Sequence, residues 1–97
     1  MKRIYSQSIG QLLENFLEEN PVLADKMAES RLMDYWTNEM SPAVSRYTSD
    51  LFIKKRILYI KLTSAVLKNE LLLCREQLVL NLNKQVNRNI IDSIVFT

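Results

Sequence analysis

Three adjacent cations, Lys54, Lys55 and Arg56, interrupt the alternating stretch LFIKKRILYIKLTS, and Lys61 follows them. Cations grouped in this way could neutralise the phosphates of a nucleic acid, an interaction that releases counterions and therefore weakens as salt increases. The competing interpretation is a solvated loop that discourages a sheet edge from pairing with another chain. Further cations would extend the basic surface if the fold brings them to the same side: Arg75, Lys84 and Arg88.

Two aromatic residues, Phe52 and Tyr59, flank the three cations. In proteins that bind single-stranded nucleic acid, a base stacked on an aromatic ring contributes roughly 1–3 kcal/mol. The alternatives are that helices cover the two rings, or that the rings stabilise a hairpin by packing across its strands. The sequence favours such a structural role for the pair and leaves base stacking open.

Charge is divided unevenly between the two halves of the chain. Residues 1–50 contain five Lys/Arg and eight Asp/Glu, a balance of −3, whereas residues 51–97 contain eight Lys/Arg and three Asp/Glu, a balance of +5. The folded domain is therefore expected to have an acidic helical side and a basic side, a polarity that bears on its partners. The acidic side is interpreted as an outward helical face, or alternatively as a docking surface for a basic protein.

The chain has few of the residues that catalytic and metal sites use. It has no histidine and only one glycine, so it lacks the commonest general base and any Gly-rich phosphate loop. Its one cysteine, Cys74, cannot form an internal disulfide, which fits a reducing cytoplasm, and cannot alone build a common zinc site. Cys74 lies on a predicted apolar stripe and is expected to be buried. We therefore expect no catalytic residue, metal, cofactor or small-molecule substrate.

A length of 97 residues fits one domain with a modest core, and 47% hydrophobic with 25% charged residues is typical of a globular protein. The apolar runs are short and interrupted by charge, so no membrane-spanning segment is expected. The amino terminus begins with basic residues but lacks the apolar region of a secretory signal. Residues 1–7 are expected to form a tail and residues 8–97 a single domain.

The first half of the chain predicts helices. Ser8 and Gln11 have the spacing of a capping box at the start of the first helix. The apolar residues that follow repeat as one helical stripe: Ile9, Leu12, Leu13, Phe16 and Leu17.

A second helix is expected over about residues 21–40, with Asn20 as its N-cap and Trp36 in the core. Ser41 and the proline after it are expected to cap a short helical turn that ends near Tyr47.

At residue 51 the hydrophobic period changes from that of a helix to that of a strand. The stretch predicts a hairpin with a two-residue turn at Lys55-Arg56, since a one-residue slip would bury Lys61. The expected pairs are Leu51 with Ile60 and Ile53 with Leu58 on the core face, and Phe52 with Tyr59 on the other face. Lys-Arg is a poor sequence for so tight a turn, which leaves a longer loop as the alternative.

Ser64 is expected to cap a long helical region over about residues 65–86, with a break at LLLC as the alternative. Its apolar stripe is Leu67, Leu71, Cys74, Leu78 and Leu82. Residues 89–97, NIIDSIVFT, are rich in β-branched side chains and predict a strand. This order of elements predicts an α+β fold of two layers, with helices on one face of a small three-stranded sheet.

The order and several local patterns resemble the DciA-like family, once a domain of unknown function, over residues 8–97. Three segments carry the resemblance: DYWTNEMSPAVSRYT at 34–48, RILYIKLTSAVLKNEL at 56–71, and LVLNLN at 78–83 followed by IIDSIVFT. The resemblance implies a compact K-homology-like domain. It also implies an association with bacterial DNA replication, where members act on the replicative helicase.

K-homology domains that bind nucleic acid clamp its backbone with a GXXG loop between two helices. The corresponding junction here, LLLCREQ, has no glycine. Longer family members carry a basic extension after the last strand, whereas this sequence ends at Thr97. The cations of the hairpin are therefore better candidates for nucleic-acid contact than the helix junction.

Residues and resemblance together predict a non-catalytic accessory protein of DNA replication in the cytoplasm. It is expected to bind nucleic acid, DNA in preference to RNA, and to have the replicative helicase as a protein partner. The alternative is a protein-interaction adaptor, or a dimer, without affinity for nucleic acid. The missing GXXG loop and the acidic helices of the first half favour that alternative.

Overall fold

The computed structural model describes the backbone of residues 2–97 and the side chains of residues 9–97. Its elements are α1 (Lys2–Glu19), α2 (Pro21–Asn38), α3 (Pro42–Arg46), β1 (Thr48–Lys54), β2 (Ile57–Leu62), α4 (Ala65–Leu73), α5 (Arg75–Gln85) and β3 (Ser93–Phe96). The strands form one sheet in the order β1-β2-β3, in which β2 is antiparallel to β1 and parallel to β3. A parallel pair requires a crossover, which α4 and α5 supply. The predicted α+β fold is confirmed.

One face of the sheet carries the hydrophobic core. Alternate strand residues point to this face and are buried: Leu58, Ile60, Ile94 and Phe96. Helices α2, α4 and α5 contribute the side chains that pack against them: Ala28, Leu32, Trp36, Leu71, Leu78 and Leu82. The three helices therefore share one side of the sheet, as predicted, and the opposite face is open.

Trp36 connects α2 to the first strand. Its side chain is fully buried, and its indole Nε1 donates a hydrogen bond of 3.0 Å to Oγ1 of Thr48. The Thr48 hydroxyl donates in turn to the carbonyl oxygen of Val44 at 2.7 Å, which links α3 to the same strand. The predicted core position of Trp36 is confirmed, and its polar atom is satisfied as burial requires.

The two predicted serine caps are confirmed. The hydroxyl of Ser41 accepts a hydrogen bond from the backbone N–H of Val44 at 3.4 Å, at the start of α3. The hydroxyl of Ser64 accepts from the N–H of Leu67 at 3.2 Å, at the start of α4. Each serine thus satisfies a donor that the first helical turn leaves unpaired.

The predicted cap of the first helix is wrong, whereas Asn20 occupies the predicted N-cap position of α2 without a side-chain cap bond. Helix α1 begins at Lys2, so Ser8 lies inside the helix and no capping box starts there. Asn20 precedes α2, but its side chain makes no cap contact with α2. Its amide donates instead to the carbonyl of Phe16 at 2.6 Å, because a single residue separates the helices and α1 ends in unpaired carbonyls. The boundary between a tail of residues 1–7 and the domain stays a prediction.

The crossover consists of two helices, since the chain breaks at Cys74 between α4 and α5. The alternative of a break at LLLC is confirmed, and a continuous helix is wrong. The break turns Cys74 out of the stripe, so the prediction that it is buried is also wrong: the thiol is exposed. The stripe residues on both sides of the break, Leu71, Leu78 and Leu82, are buried as expected.

The hairpin has the predicted register. Leu51 pairs with Ile60, Phe52 with Tyr59, and Ile53 with Leu58. The turn contains two residues, Lys55 with φ of 50° and Arg56 with φ of 65°, so the longer loop is wrong. Both residues are left-handed, as a type I′ hairpin turn requires, although each non-glycine residue there costs roughly 1–2 kcal/mol.

The last strand is shorter than predicted. Residues 89–92 form a loop before it, and hydrogen bonds to the side chain of Asn83 hold this loop. Oδ1 of Asn83 accepts from the backbone N–H of Ile90 at 2.9 Å and of Ile91 at 3.1 Å. The Asn83 amide donates to the carbonyl of Ile91 at 2.8 Å. One polar side chain of α5 thus satisfies the backbone of a buried segment that no strand partner reaches.

Helix α1 has the predicted apolar stripe, but the stripe is not part of the core. No side chain of Ile9–Glu19 belongs to the buried cluster, and the molecule is elongated, with extents of 50 × 28 × 20 Å. Across residues 2–97, none of the helices combines the length and apolar content that crossing a bilayer would require.

Replacing Trp36 with alanine should lower the free energy of unfolding by about 3–5 kcal/mol, because it leaves a cavity in the core. Trp36→Phe is the matched control, since it keeps most of the volume and loses the hydrogen bond to Thr48. Urea denaturation followed by circular dichroism measures both. Equal losses in the two variants would contradict the core role of the indole.

Candidate nucleic-acid interface

The open face of the sheet has an aromatic pair at its centre. Phe52 and Tyr59 are cross-strand partners, and their rings stack with centroids 4.8 Å apart and planes 13° from parallel. Phe52 is 45% exposed and Tyr59 is half-buried, so no helical side chain among residues 9–97 covers Phe52. The structural role by cross-strand packing is confirmed, and base stacking stays a prediction.

Lysines lie at both ends of this aromatic pair. Lys54 follows Phe52 by two residues on β1, and Lys61 follows Tyr59 by two residues on β2. Side chains two apart on a strand share a face, so both lysines are on the open face. Because β1 and β2 are antiparallel, Lys54 lies toward the hairpin turn and Lys61 away from it. The open face therefore presents a cation, two stacked rings and a second cation in line.

Arg56, in the turn, is held by Asp92, which immediately precedes β3. Its Nε and Nη2 donate to the two carboxylate oxygens of Asp92, each at 2.9 Å. The backbone N–H of Asp92 also donates to the carbonyl of Arg56 at 2.7 Å. This bidentate arrangement joins the hairpin turn to the start of the third strand. The guanidinium is therefore engaged, whereas Lys54 and Lys55 make no ion pair with any carboxylate of residues 9–97.

The contact between Arg56 and Asp92 shifts the protonation equilibria of both groups. The hydrogen bond from Arg56, followed by its charge, holds the pKa of the Asp92 carboxyl below its ordinary value of 3.8. The hydrogen bond to Asp92 raises the pKa of the Arg56 guanidinium in the same way. Both side chains face solvent, so salt screens the pair.

The remaining predicted cations do not form one surface. Arg75, at the start of α5, lines a surface depression together with Asp92 and Ser93, at the start of β3. Arg88 donates from Nε and Nη2 to Oδ1 of Asp25 on α2, at 3.0 and 2.8 Å, on the helical side of the molecule. Lys84 is exposed on α5, also in the helical layer.

The helix junction lacks the glycine loop of a K-homology clamp. Leu73 and Cys74 are exposed between α4 and α5, and no glycine is present. Among the side chains of residues 9–97, His, Cys, Asp and Glu form no group of three that could hold a metal ion.

Sequence reasoning missed both arginine–carboxylate pairs. Arg56 is 36 residues from Asp92, and Arg88 is 63 residues from Asp25. No local pattern connects residues so far apart. The sequence offered one signal: the cation in each pair is an arginine, and arginine suits bidentate contacts with a carboxylate better than lysine does.

Comparison with protein families identifies a family for this chain. The model of the family described as Dna[CI] antecedent, DciA, matches residues 8–96. No curated protein and no solved structure matches the chain. The suspected family is therefore confirmed, and the K-homology likeness stays a prediction.

Replacing Asp92 with asparagine should destabilise the protein at neutral pH and have little effect in acid. A carboxyl whose pKa is lowered by folding contributes stability above its ordinary pKa and loses it as pH falls through the lowered value. Urea midpoints of the parent chain and the variant should therefore differ at about pH 7 and converge as the pH falls through the lowered pKa of Asp92. Asp34→Asn, on the exposed side of α2, is the control for the same change of charge. A difference that persists unchanged in acid would show that the pair does not act through charge.

Proposed function

The chain belongs to the DciA family, and on that premise we propose that it is a non-catalytic accessory protein of DNA replication that binds nucleic acid. The binding surface in this proposal is the open face of the sheet. The family description, an antecedent of Dna[CI], supports a place in DNA replication and an association with the replicative helicase. That setting favours DNA over RNA as the ligand, and a cytoplasmic location is part of the proposal.

The observation that carries the proposal is the arrangement of Lys54, the stacked rings and Lys61 on the sheet face where Phe52 is exposed. Proteins that bind single strands without sequence preference combine a cationic track with aromatic rings. Lys55 adds a second cation at the turn. The open face thus has both components, and they lie next to each other.

Lysines are better phosphate ligands here than the arginines. Arg56 and Arg88 each form a short contact with a carboxylate, which a phosphate would have to displace. The ammonium groups of Lys54, Lys55 and Lys61 have no such contact among residues 9–97. We therefore assign the phosphate contacts to these three lysines, with Arg75, which shares a depression with Asp92, as an additional one.

Few phosphate contacts imply a modest dependence on salt. Each neutralised phosphate of a single strand contributes a slope of about −0.7 to the logarithm of affinity against that of salt. Three lysines would then give a slope of roughly −2. This weak, sequence-tolerant binding suits an accessory factor that acts beside a helicase.

The double variant Lys54→Glu with Lys55→Glu should lose binding to a labelled single-stranded DNA in about 50 mM salt. Fluorescence anisotropy measures the affinity and its salt slope. The matched control is Lys26→Glu with Arg31→Glu, which makes the same change of charge on exposed positions of α2. Equal loss in both variants would show that net charge, not the open face, governs binding.

The alternative function, a protein-interaction adaptor, has a distinct outcome in the same experiment. An adaptor would bind neither DNA nor RNA at low salt, and the lysine substitutions would change nothing. The exposed, glycine-free helix junction favours this second candidate. Such a result would leave the replicative helicase as the partner to test.

Phe52→Leu separates base stacking from phosphate contact. Leucine keeps an apolar contact with Tyr59 across the strands and removes the exposed ring. If bases stack on this face, the affinity for single-stranded DNA should fall by about 5- to 150-fold, as a loss of 1–3 kcal/mol implies, with an unchanged salt slope. Leu51→Val, at a half-buried position of the same strand, is the control for stability. Unaltered affinity would confine the role of Phe52 to packing.

A further inference from the structure

Helix α1 has an apolar face that the fold does not use. Its exposed fractions are 61% for Ile9, 68% for Leu12, 45% for Leu13 and 51% for Phe16. These residues repeat at i, i+3, i+4 and i+7, so they adjoin one another on one side of the helix. Scattered apolar side chains are ordinary on a surface, whereas a contiguous patch marks an interaction site.

The charged side chains of α1 are distributed unfavourably with respect to the dipole of the helix. Its amino end carries Lys2 and Arg3, and its carboxyl end carries Glu18 and Glu19. No acidic residue lies in its first turn and no basic residue in its last. Cations at the amino end and anions at the carboxyl end are both unfavourable for an isolated helix. The same separation of charge is favourable when a second helix runs in the opposite direction.

The spacing sets a register for such a pair. Residues 5, 9, 12 and 16 are Tyr, Ile, Leu and Phe, separated by four, three and four positions as in a coiled-coil seam. An antiparallel pair centred between residues 10 and 11 puts Ile9 opposite Leu12 of the other copy. The same register puts Arg3 opposite Glu18 and Lys2 opposite Glu19.

We propose that α1 pairs antiparallel with α1 of a second copy of this chain, forming a dimer with twofold symmetry. Two antiparallel copies of one helix make a self-complementary interface, in which each contact occurs twice. A uniformly acidic or basic partner would match only one end of α1, whereas a reversed copy matches both ends. The seam is short, because 18 residues span about 27 Å, so the dimer should form and dissociate with concentration.

Two charge variants test the pairing. Glu18→Lys with Glu19→Lys makes both ends of α1 basic, and Lys2→Glu with Arg3→Glu makes both ends acidic. Each variant alone should remain at the chain mass of 11.4 kDa in sedimentation equilibrium, whereas the parent chain should reach twice that mass. An equimolar mixture of the two variants should dimerise again, and so should one chain with all four substitutions. No nucleic acid is present in this experiment, so its outcome is independent of the proposed function.

A second pair of variants tests the apolar seam. Leu12→Glu should abolish the dimer, whereas Val66→Glu, at an exposed apolar position of α4, should leave it intact. Circular dichroism checks that each variant is folded. A parent chain that stays at 11.4 kDa up to its solubility limit would overturn the proposal and leave the face to another partner. If the variant with two basic ends and the variant with two acidic ends each still dimerise alone, the antiparallel pairing is overturned.

Discussion

Leu58 and Ile60 are fully buried in the central strand β2, and their burial determines the orientation of the rest of the sheet. Successive strand residues alternate between faces, so the residue between them, Tyr59, must point away from the core, and Lys61 with it. Pairing with β1 then brings Phe52 beside Tyr59. The aromatic and basic surface of the open face is thus a consequence of how the opposite face packs.

Local rules predicted the hairpin and the caps, whereas distant contacts could not be predicted. The register follows from parity, since only one pairing buries Leu58 and Ile60 together and leaves Lys61 in water. The turn at Lys55-Arg56 is left-handed, although neither residue type favours that conformation. Hydrogen bonds between Arg56 and Asp92 stabilise it. That carboxylate lies 36 residues away, beyond the reach of any periodic pattern. Cys74 was misplaced for a similar reason: periodicity assumes an unbroken helix.

Arginines and lysines have different roles in this fold. The two arginines that pair with carboxylates use their planar, bidentate donors to join segments distant in sequence. The lysines of the hairpin are point charges on flexible chains and take no such part among the residues described. A simple count of positive charge in the second half therefore overstates the surface available to a polyanion. The lysines, rather than the total of +5, define the candidate site.

The open face of the sheet and the apolar face of α1 do not pack against the core, and their side chains differ in chemistry. The open sheet face combines flexible cations with stacked rings, a composition that suits a polyanion with planar bases. Helix α1 combines apolar side chains with opposite charges at its two ends, a composition that suits a reversed copy of itself. Among the side chains of residues 9–97, the core draws only on elements from α2 to β3. Changes on one surface should therefore leave both the fold and the other surface intact, since they share no packed residue.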